Sequence, residues 1–352
     1  MEGDKLYGRG GADDGYAMFA ATAAVRSLKD QGIKHPRILI LIEFSEESGS
    51  PDLPFYMDHC SAIIGAPDLV VCLDSGAGNY EQFWTTTSLR GLIGCTVRVD
   101  VLTEGVHSGS ASGLVPSSFR VLRQLLSRLE DEKTGSILLD ALTVKIPDHR
   151  VEEAKAVIAA LDGEVEKFPW HGSMDSTTED PVEGTLKRTW KPALSIVGMD
   201  GVPAVKDGGN VLRPYTALRL SMRIPPTLDK KIAVDAMRKA LTNDPPYNAS
   251  VEVKFDEPAT GWNAPALEPW LADAMQEASQ TYFNKPALSM GEGGTIPFMA
   301  MLGEKFPQAQ FVITGILGPQ SNAHGPNEFI HIPYAKKLTA CIASILHQFP
   351  NR

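Results

Sequence analysis

The chain has 352 residues, of which 43% are apolar and 22% charged, with 33 basic against 43 acidic side chains and a formal charge of −10. These proportions describe a soluble globular protein, long enough for two domains or one large one with a sizeable core. The acidic balance and the lack of any basic run exclude nucleic acid or an anionic membrane as the main partner, and no apolar stretch approaches a membrane span.

The first residues, Met1-Glu2-Gly3-Asp4-Lys5, form neither a signal nor a transit peptide. Cys60, Cys72, Cys95 and Cys341 are scattered without a CxxC. They are expected to be reduced and buried, which fits a cytoplasmic address. The segment Leu6-Tyr7-Gly8-Arg9-Gly10-Gly11-Ala12-Asp13-Asp14-Gly15 permits a tight backbone path, and Asp13 or Asp14 is placed to cap a helix over residues 16–30. That helix should bury Phe19, Ala20, Ala23, Ala24 and Leu28. No Gly-Lys-Ser/Thr follows the glycines, so the loop is not a Walker loop.

The run Arg37-Ile38-Leu39-Ile40-Leu41-Ile42 reads as a strand buried on both faces, of the kind used in parallel sheets. It delivers Glu46 and Glu47 to a small-residue turn. Two adjacent carboxylates at a strand end repel one another unless a cation or a shared proton holds them. A second apolar strand, residues 67–73, ends in Asp74. Asp13, Glu46/Glu47 and Asp74 are thus expected on one edge of one sheet, where α/β proteins bind ligands. Three such termini in fewer than a hundred residues point to a metal or acid–base site.

From residue 91 the pattern changes. Residues 96–101, 218–224 and 251–255 alternate strictly, as half-exposed strands do. A helix over residues 116–131 should present Phe119, Leu122, Leu126 and Leu129 to them. Residues 169–192, rich in Pro, Gly, Ser, Thr and Asp, read as a long loop. After residue 258 the α/β character returns: a helix over residues 267–282, another opening at Pro297, a buried strand over residues 310–314, and a last helix burying Leu338, Cys341, Ile345 and Leu346. The expected architecture is an α/β/α domain with a mostly parallel sheet, made of residues 1–90 and 257–352. An α+β domain with an open-faced sheet, residues 91–256, is inserted into it.

Six motifs, in order, carry a resemblance: Gly8-Arg9-Gly10-Gly11-Ala12-Asp13-Asp14, Glu46-Glu47, Leu73-Asp74-Ser75, Glu104-Gly105-Val106-His107-Ser108-Gly109, Gly293-Gly294-Thr295-Ile296-Pro297 and Asn322-Ala323-His324-Gly325-Pro326-Asn327-Glu328. The chain resembles the carnosinase-type dimetal peptidases, a superfamily that also holds cytosolic non-specific dipeptidases, aminoacylases and a desuccinylase. The resemblance runs from about Leu6 to the C-terminus and implies a catalytic domain interrupted by a lid that forms a homodimer. It implies two zinc ions per subunit, with manganese or cobalt as alternatives: Asp13 bridging, Glu47 and His324 completing one site, Asp74 on the other. Glu46 resembles the general base. His107 resembles an oxyanion-stabilising residue reaching the neighbouring subunit, and Asn210 a second group offered across the dimer. Arg223, with Thr295 beside it, resembles the grip on a substrate's terminal carboxylate. Aspartate at position 74 goes with dipeptidases and aminopeptidases. Hydrolysis of dipeptides or short peptides by an activated water is therefore the leading expectation. An N-acyl amino-acid amidohydrolase and a non-catalytic remnant are the alternatives.

The chain departs from that pattern in one respect. The family's His-x-Asp motif, expected upstream of Gly8, does not occur. The resemblance therefore implies that an N-terminal portion of the catalytic domain is absent. One metal site (Asp13, Glu47, His324) keeps three ligands, the other keeps Asp13 and Asp74, and an apolar flank of the sheet lies exposed.

Overall fold

The computed structural model describes residues 1–163 and 168–349. The alternating segments form one four-stranded antiparallel sheet in the order Ala193–Asp200, Tyr215–Ile224, Gly91–Asp100, Ser250–Phe255. Its central ladder runs in unbroken register from Gly91 opposite Ile224 to Asp100 opposite Tyr215. The period of two puts Ile93, Cys95, Val97 and Val99 on one face with Leu218, Leu220, Met222 and Ile224. The helices Ser118–Leu126 and Lys230–Thr242 cover that face, contributing Val121, Leu122, Leu125, Ala233, Met237 and Leu241. Each Val, Leu, Ile or Met among them gains about 1.5–3 kcal/mol from leaving water.

The remaining strands are short and flanked by helices on both sides, so the chain is an α/β protein. Leu69–Cys72 pairs in parallel with Gln310–Ile313, and Trp84–Leu89 in parallel with Leu288–Glu292. Residues of one strand serve two cores: Val312 packs with the helices Tyr16–Asp30, Pro269–Phe283 and Ile332–Gln348, whereas Phe311 and Ile313 pack with Trp262 and Met299 of the helix Pro297–Lys305. The helix Asp148–Ala160 adds Val157 to the first of these cores. Among the described residues no helix is long and apolar enough to cross a membrane.

Four local expectations are corrected. Residues 37–42 are not a buried strand. Among the described residues no ladder includes them, and Leu39, Ile40, Leu41 and Ile42 are each 41–45% exposed. A β-branched run becomes a buried strand only with a neighbour along its edge, and here Arg37 instead donates to the carbonyls of Ile63 and Ile64. The helix at residue 118 is turned from the expected face, with Phe119 45% exposed. Ser118 bonds Thr216 in the sheet (Oγ–Oγ1 2.8 Å), so the inward stripe is residues 118, 121, 122 and 125. The first helix likewise buries Tyr16, Ala20, Ala24 and Leu28 and leaves Phe19 at its surface. Within the expected loop lies the helix Pro181–Thr189, started by Asp180, whose carboxylate accepts from Val182 N–H at 2.9 Å, and by Pro181 in its first turn. Leu186 and Trp190 pin it against Ala154.

The difference between the two kinds of apolar residue is measurable. Trp84 is fully buried, with its indole N–H on Asn79 Oδ1 at 3.1 Å. Trp84→Ala is expected to cost about 3–5 kcal/mol in denaturant unfolding, whereas Ile40→Thr should stay within about 0.5 kcal/mol.

Candidate active site

The site is built where the two ends of the chain meet. The strand Lys5–Tyr7 pairs antiparallel with Phe329–His331, which sets the glycine-rich turn beside the 322–328 loop. Gly10 takes a φ of 66°, a left-handed conformation that glycine adopts without strain. The Gly15 N–H closes onto the Gly10 carbonyl at 2.9 Å, and a Cβ on Gly15 would meet that same oxygen at 2.6 Å. Neither aspartate caps the following helix by its side chain, which corrects the capping expectation. The Asp13–Asp14 peptide is cis.

Asp13 instead faces His324: Oδ2 lies 3.0 Å from Nε2, and the same nitrogen lies 3.0 Å from Glu47 Oε1. The three ligand atoms lie within 4.8 Å of one another, and among the described residues they are the one group of three or more such side chains arranged in this way. Asp13 is largely covered (13% side-chain exposure), whereas His324 and Glu47 are 65% and 61% exposed and open to an incoming molecule. Glu46 and Glu47 sit on a one-turn helix, Glu46–Ser48, closed by Gly49 at φ 86°.

Further acids, Glu46 and Asp74 half-buried and Asp14 more exposed, surround this trio. Burial, then the charges of Glu47, Asp13, Glu43 and Asp14, pushes the Glu46 carboxyl up to about 7. Burial, then Glu46, Asp14, Asp13 and Glu292, pushes Asp74 up to about 8. Asp13 is raised by burial and by Glu47, with His324 opposing, and Asp14 is raised by burial, then by Glu43 and Glu47 against a hydrogen bond to its own backbone. Such mutual repulsion is what a divalent cation relieves. Two carboxylate oxygens and one imidazole nitrogen are a donor set that zinc accepts. The residues present therefore fit a metal ion.

Asp74 follows the strand Leu69–Cys72 and stands outside the trio. Its turn is fixed by Tyr16 Oη on the Leu73 carbonyl (2.7 Å) and by Glu292 Oε1, which accepts from Ser75 Oγ (2.9 Å), Gly76 N–H (2.8 Å) and Thr86 Oγ1 (3.1 Å). The three expected acid termini thus converge through turns and not along one sheet edge.

Arg223 and Thr295 are brought together. Arg223 Nη1 donates to Thr295 Oγ1 at 2.9 Å, and that hydroxyl donates to the Arg90 carbonyl at 2.6 Å. Burial lowers the Arg223 pKa, and burial with neighbouring Arg223 and Arg188 lowers Arg90 to about 10. Arg90 donates to the carbonyls of Gly293, Lys187 and Lys191, and among the described residues neither Arg90 nor Arg223 has an acidic partner. His107 and Asn210 lie near one another, where the short strands Val106–His107 and Val211–Leu212 pair and Ser108 N–H donates to the Asn210 carbonyl at 2.9 Å. Both are exposed, and among the described contacts neither meets the trio.

Residues with no role assigned from sequence also take part. Glu328 is 1% exposed. Burial alone would raise its carboxyl, but the N–H groups of Gly10, Ala12 and Asp13 and the Arg9 guanidinium hold it below the ordinary value. Glu292 does for the Asp74 turn what Glu328 does for the Asp13 turn. The signal for both is an acid beside a glycine turn and a strand, although their partners lie more than 200 residues away.

An α/β chain that gathers two carboxylates and an imidazole beside further acids with raised pKa values has the equipment of a metallohydrolase. The chain belongs to the peptidase family M20/M25/M40, whose family model matches residues 1–348, and it is a metallopeptidase of that family. It is similar to the cysteinylglycine-S-conjugate dipeptidase of Corynebacterium striatum, 27% identical over 348 residues that cover 94% of this chain and 72% of the relative. The Cys-Gly metallodipeptidase dug1 of Schizosaccharomyces pombe is 21% identical over 352 residues, 99% of this chain and 73% of the relative. Among solved structures, human carnosine dipeptidase 1 has the same fold, with a TM-score of 0.73 at 22% identity over 98% of this chain and 74% of the other.

Proposed function

We propose that this chain hydrolyses the peptide bond of dipeptides, with a divalent cation held by Asp13, Glu47 and His324 and with Glu46 as general base. The observation that carries the reading is the meeting of Asp13 Oδ2, Glu47 Oε1 and His324 Nε2, from three distant segments, within 4.8 Å. Zinc suits this donor set, and manganese or cobalt could replace it. Such an ion supplies a polarised carbonyl and a water acidic enough to attack near neutral pH. Asp74 adds one carboxylate to a second position.

The side chains do the rest. Glu46 takes the proton of the attacking water as oxygen adds to the carbonyl carbon, and returns it to the amine nitrogen as the C–N bond breaks. Burial beside Glu47 and Asp13 raises the Glu46 carboxyl in the chain alone, and a cation held by those two residues would lower it again and leave the carboxylate free to accept the proton. Arg223 binds the substrate's terminal carboxylate in a bidentate pair, its guanidinium steadied by Thr295. His107 and Asn210 act from the lid of a second copy in a homodimer, donating to the developing oxyanion. In this reading residues 91–256 are that lid, and residues 1–90 with 257–352 are the catalytic unit.

The relatives' names point to dipeptides ending in glycine, such as Cys-Gly. The test is to compare the metal-supplied chain on Cys-Gly and other Xaa-Gly dipeptides with N-acetyl amino acids. Preferential cleavage of the dipeptides supports the reading, and preference for the N-acetyl compounds moves it to an amidohydrolase. Arg223→Ala is expected to raise KM for Xaa-Gly about 10–100-fold, the loss of one charged hydrogen-bonded pair, with a smaller change in kcat. The same variant should leave KM for a C-terminally amidated dipeptide nearly unchanged.

A further inference from the structure

Glu328 spends its whole carboxylate on one short stretch of chain. Oε1 accepts from Ala12 N–H at 2.9 Å and from Asp13 N–H at 3.1 Å. Oε2 accepts from Gly10 N–H at 3.0 Å and from the Arg9 guanidinium. Its own carbonyl accepts from Gly8 N–H at 2.9 Å, so backbone and side chain together hold the turn at five points. A buried carboxylate is tolerated only when it is paired and fully hydrogen-bonded, and this one is.

The stretch it holds ends on Asp13, and Glu328 itself closes the loop that carries His324. Between His324 and Glu328 the chain passes Gly325, Pro326 and Asn327, with left-handed φ at His324 and Asn327. One side chain therefore ties the turn of one ligand to the loop of another, and the two ligand atoms stand 3.0 Å apart. Glycines at positions 8, 10, 11 and 15 leave the turn little order of its own. A loop that had to be ordered at each binding event would weaken the site.

We propose that Glu328, with Arg9 as its counter-charge, is a positioning residue that fixes Asp13 against His324 before a cation arrives. This rests on the reading of Asp13, Glu47 and His324 as metal ligands. Glutamine at position 328 keeps the volume but turns one acceptor into a donor facing other donors, either the two N–H groups of Ala12 and Asp13 or the Gly10 N–H and Arg9. The mismatch frees one side of the turn while the strand pairing beyond it remains.

The test measures metal binding and not turnover. Zinc affinity of the full chain is measured by competition with a chromogenic chelator, and the visible spectrum is recorded with cobalt at saturation. Glu328→Gln is expected to lower zinc affinity about 10–100-fold, as loss of a ligand-orienting partner does, and to change the cobalt spectrum. A purely structural role would move the melting temperature and leave that spectrum as in the parent. Unchanged affinity, or an unchanged spectrum at saturation, overturns the proposal. Asp13→Asn separates the two ideas. If it lowers affinity and Glu328→Gln does not, the positioning role falls alone; if it leaves affinity unchanged, the ligand reading falls and takes the positioning role with it. Should Glu328→Gln fail to fold, Arg9→Ala at the half-exposed partner is expected to weaken zinc at least threefold, and no change there would equally overturn the role.

Discussion

Glu46→Gln is expected to lower kcat for Xaa-Gly hydrolysis by about 10²–10⁴-fold, the range a positioned general base contributes, with metal content unchanged. The substitution keeps the shape of the side chain and removes its ability to take a proton. Glu46 is separable from its neighbour in this way because only Glu47 meets His324 (3.0 Å), whereas Glu46 lies among Glu47, Asp13, Glu43 and Asp14 without joining the trio. Metal content measured beside the rate distinguishes the two carboxylates: Glu47→Gln should lose both. A Glu46→Gln enzyme with the parent's rate would remove this residue from the chemistry.

The four-stranded sheet was legible in part: strict alternation is a local signal, and the strands expected over residues 96–101, 218–224 and 251–255 all lie in it, whereas the strand Ala193–Asp200 and the pairing order do not follow from alternation alone. Residues 37–42 show the limit of local patterns, because apolar content there does not bring burial. Whether such a run is covered depends on which strands lie alongside, and that is a property of the whole chain. The Phe119 face failed for a related reason: Ser118 turns the helix toward Thr216, and a hydroxyl pair is invisible in a count of apolar residues. At the site, family resemblance singles out Asp13, Glu47 and His324, and the structure brings these three side chains together. Arg223 and Thr295 were singled out in the same way, and the structure puts them in contact. Glu328 and Glu292 went unassigned because their partners lie more than 200 residues away: three backbone N–H groups and Arg9 for Glu328, and Ser75, Gly76 and Thr86 for Glu292. Buried acids with backbone partners are legible only once the turns they serve have been placed.

After exhaustive dialysis the chain is expected to retain one tightly bound zinc ion, counted by elemental analysis, and Asp13→Ala or His324→Ala should reduce that count to none. The number of donors at each position sets the difference. Asp13, Glu47 and His324 supply three ligands and leave room for a water or substrate, the usual composition of a catalytic zinc site. Asp74 offers a single carboxylate, and among the described residues no imidazole or further acid joins it in a group of three. One carboxylate, even with Asp13 shared, holds an ion far less firmly than three ligands do. Burial, and after it the charges of Glu46, Asp14, Asp13 and Glu292, raise its carboxyl and make it costly to keep ionised. Two zinc ions surviving dialysis would mean that Asp74 has partners beyond those described. Loss of the single ion should also lower the melting temperature in proportion to the logarithm of free zinc over its dissociation constant. A titration of melting temperature against zinc therefore reads the same site by an independent route: Asp13→Ala should abolish the dependence, and Asp74→Ala should leave most of it.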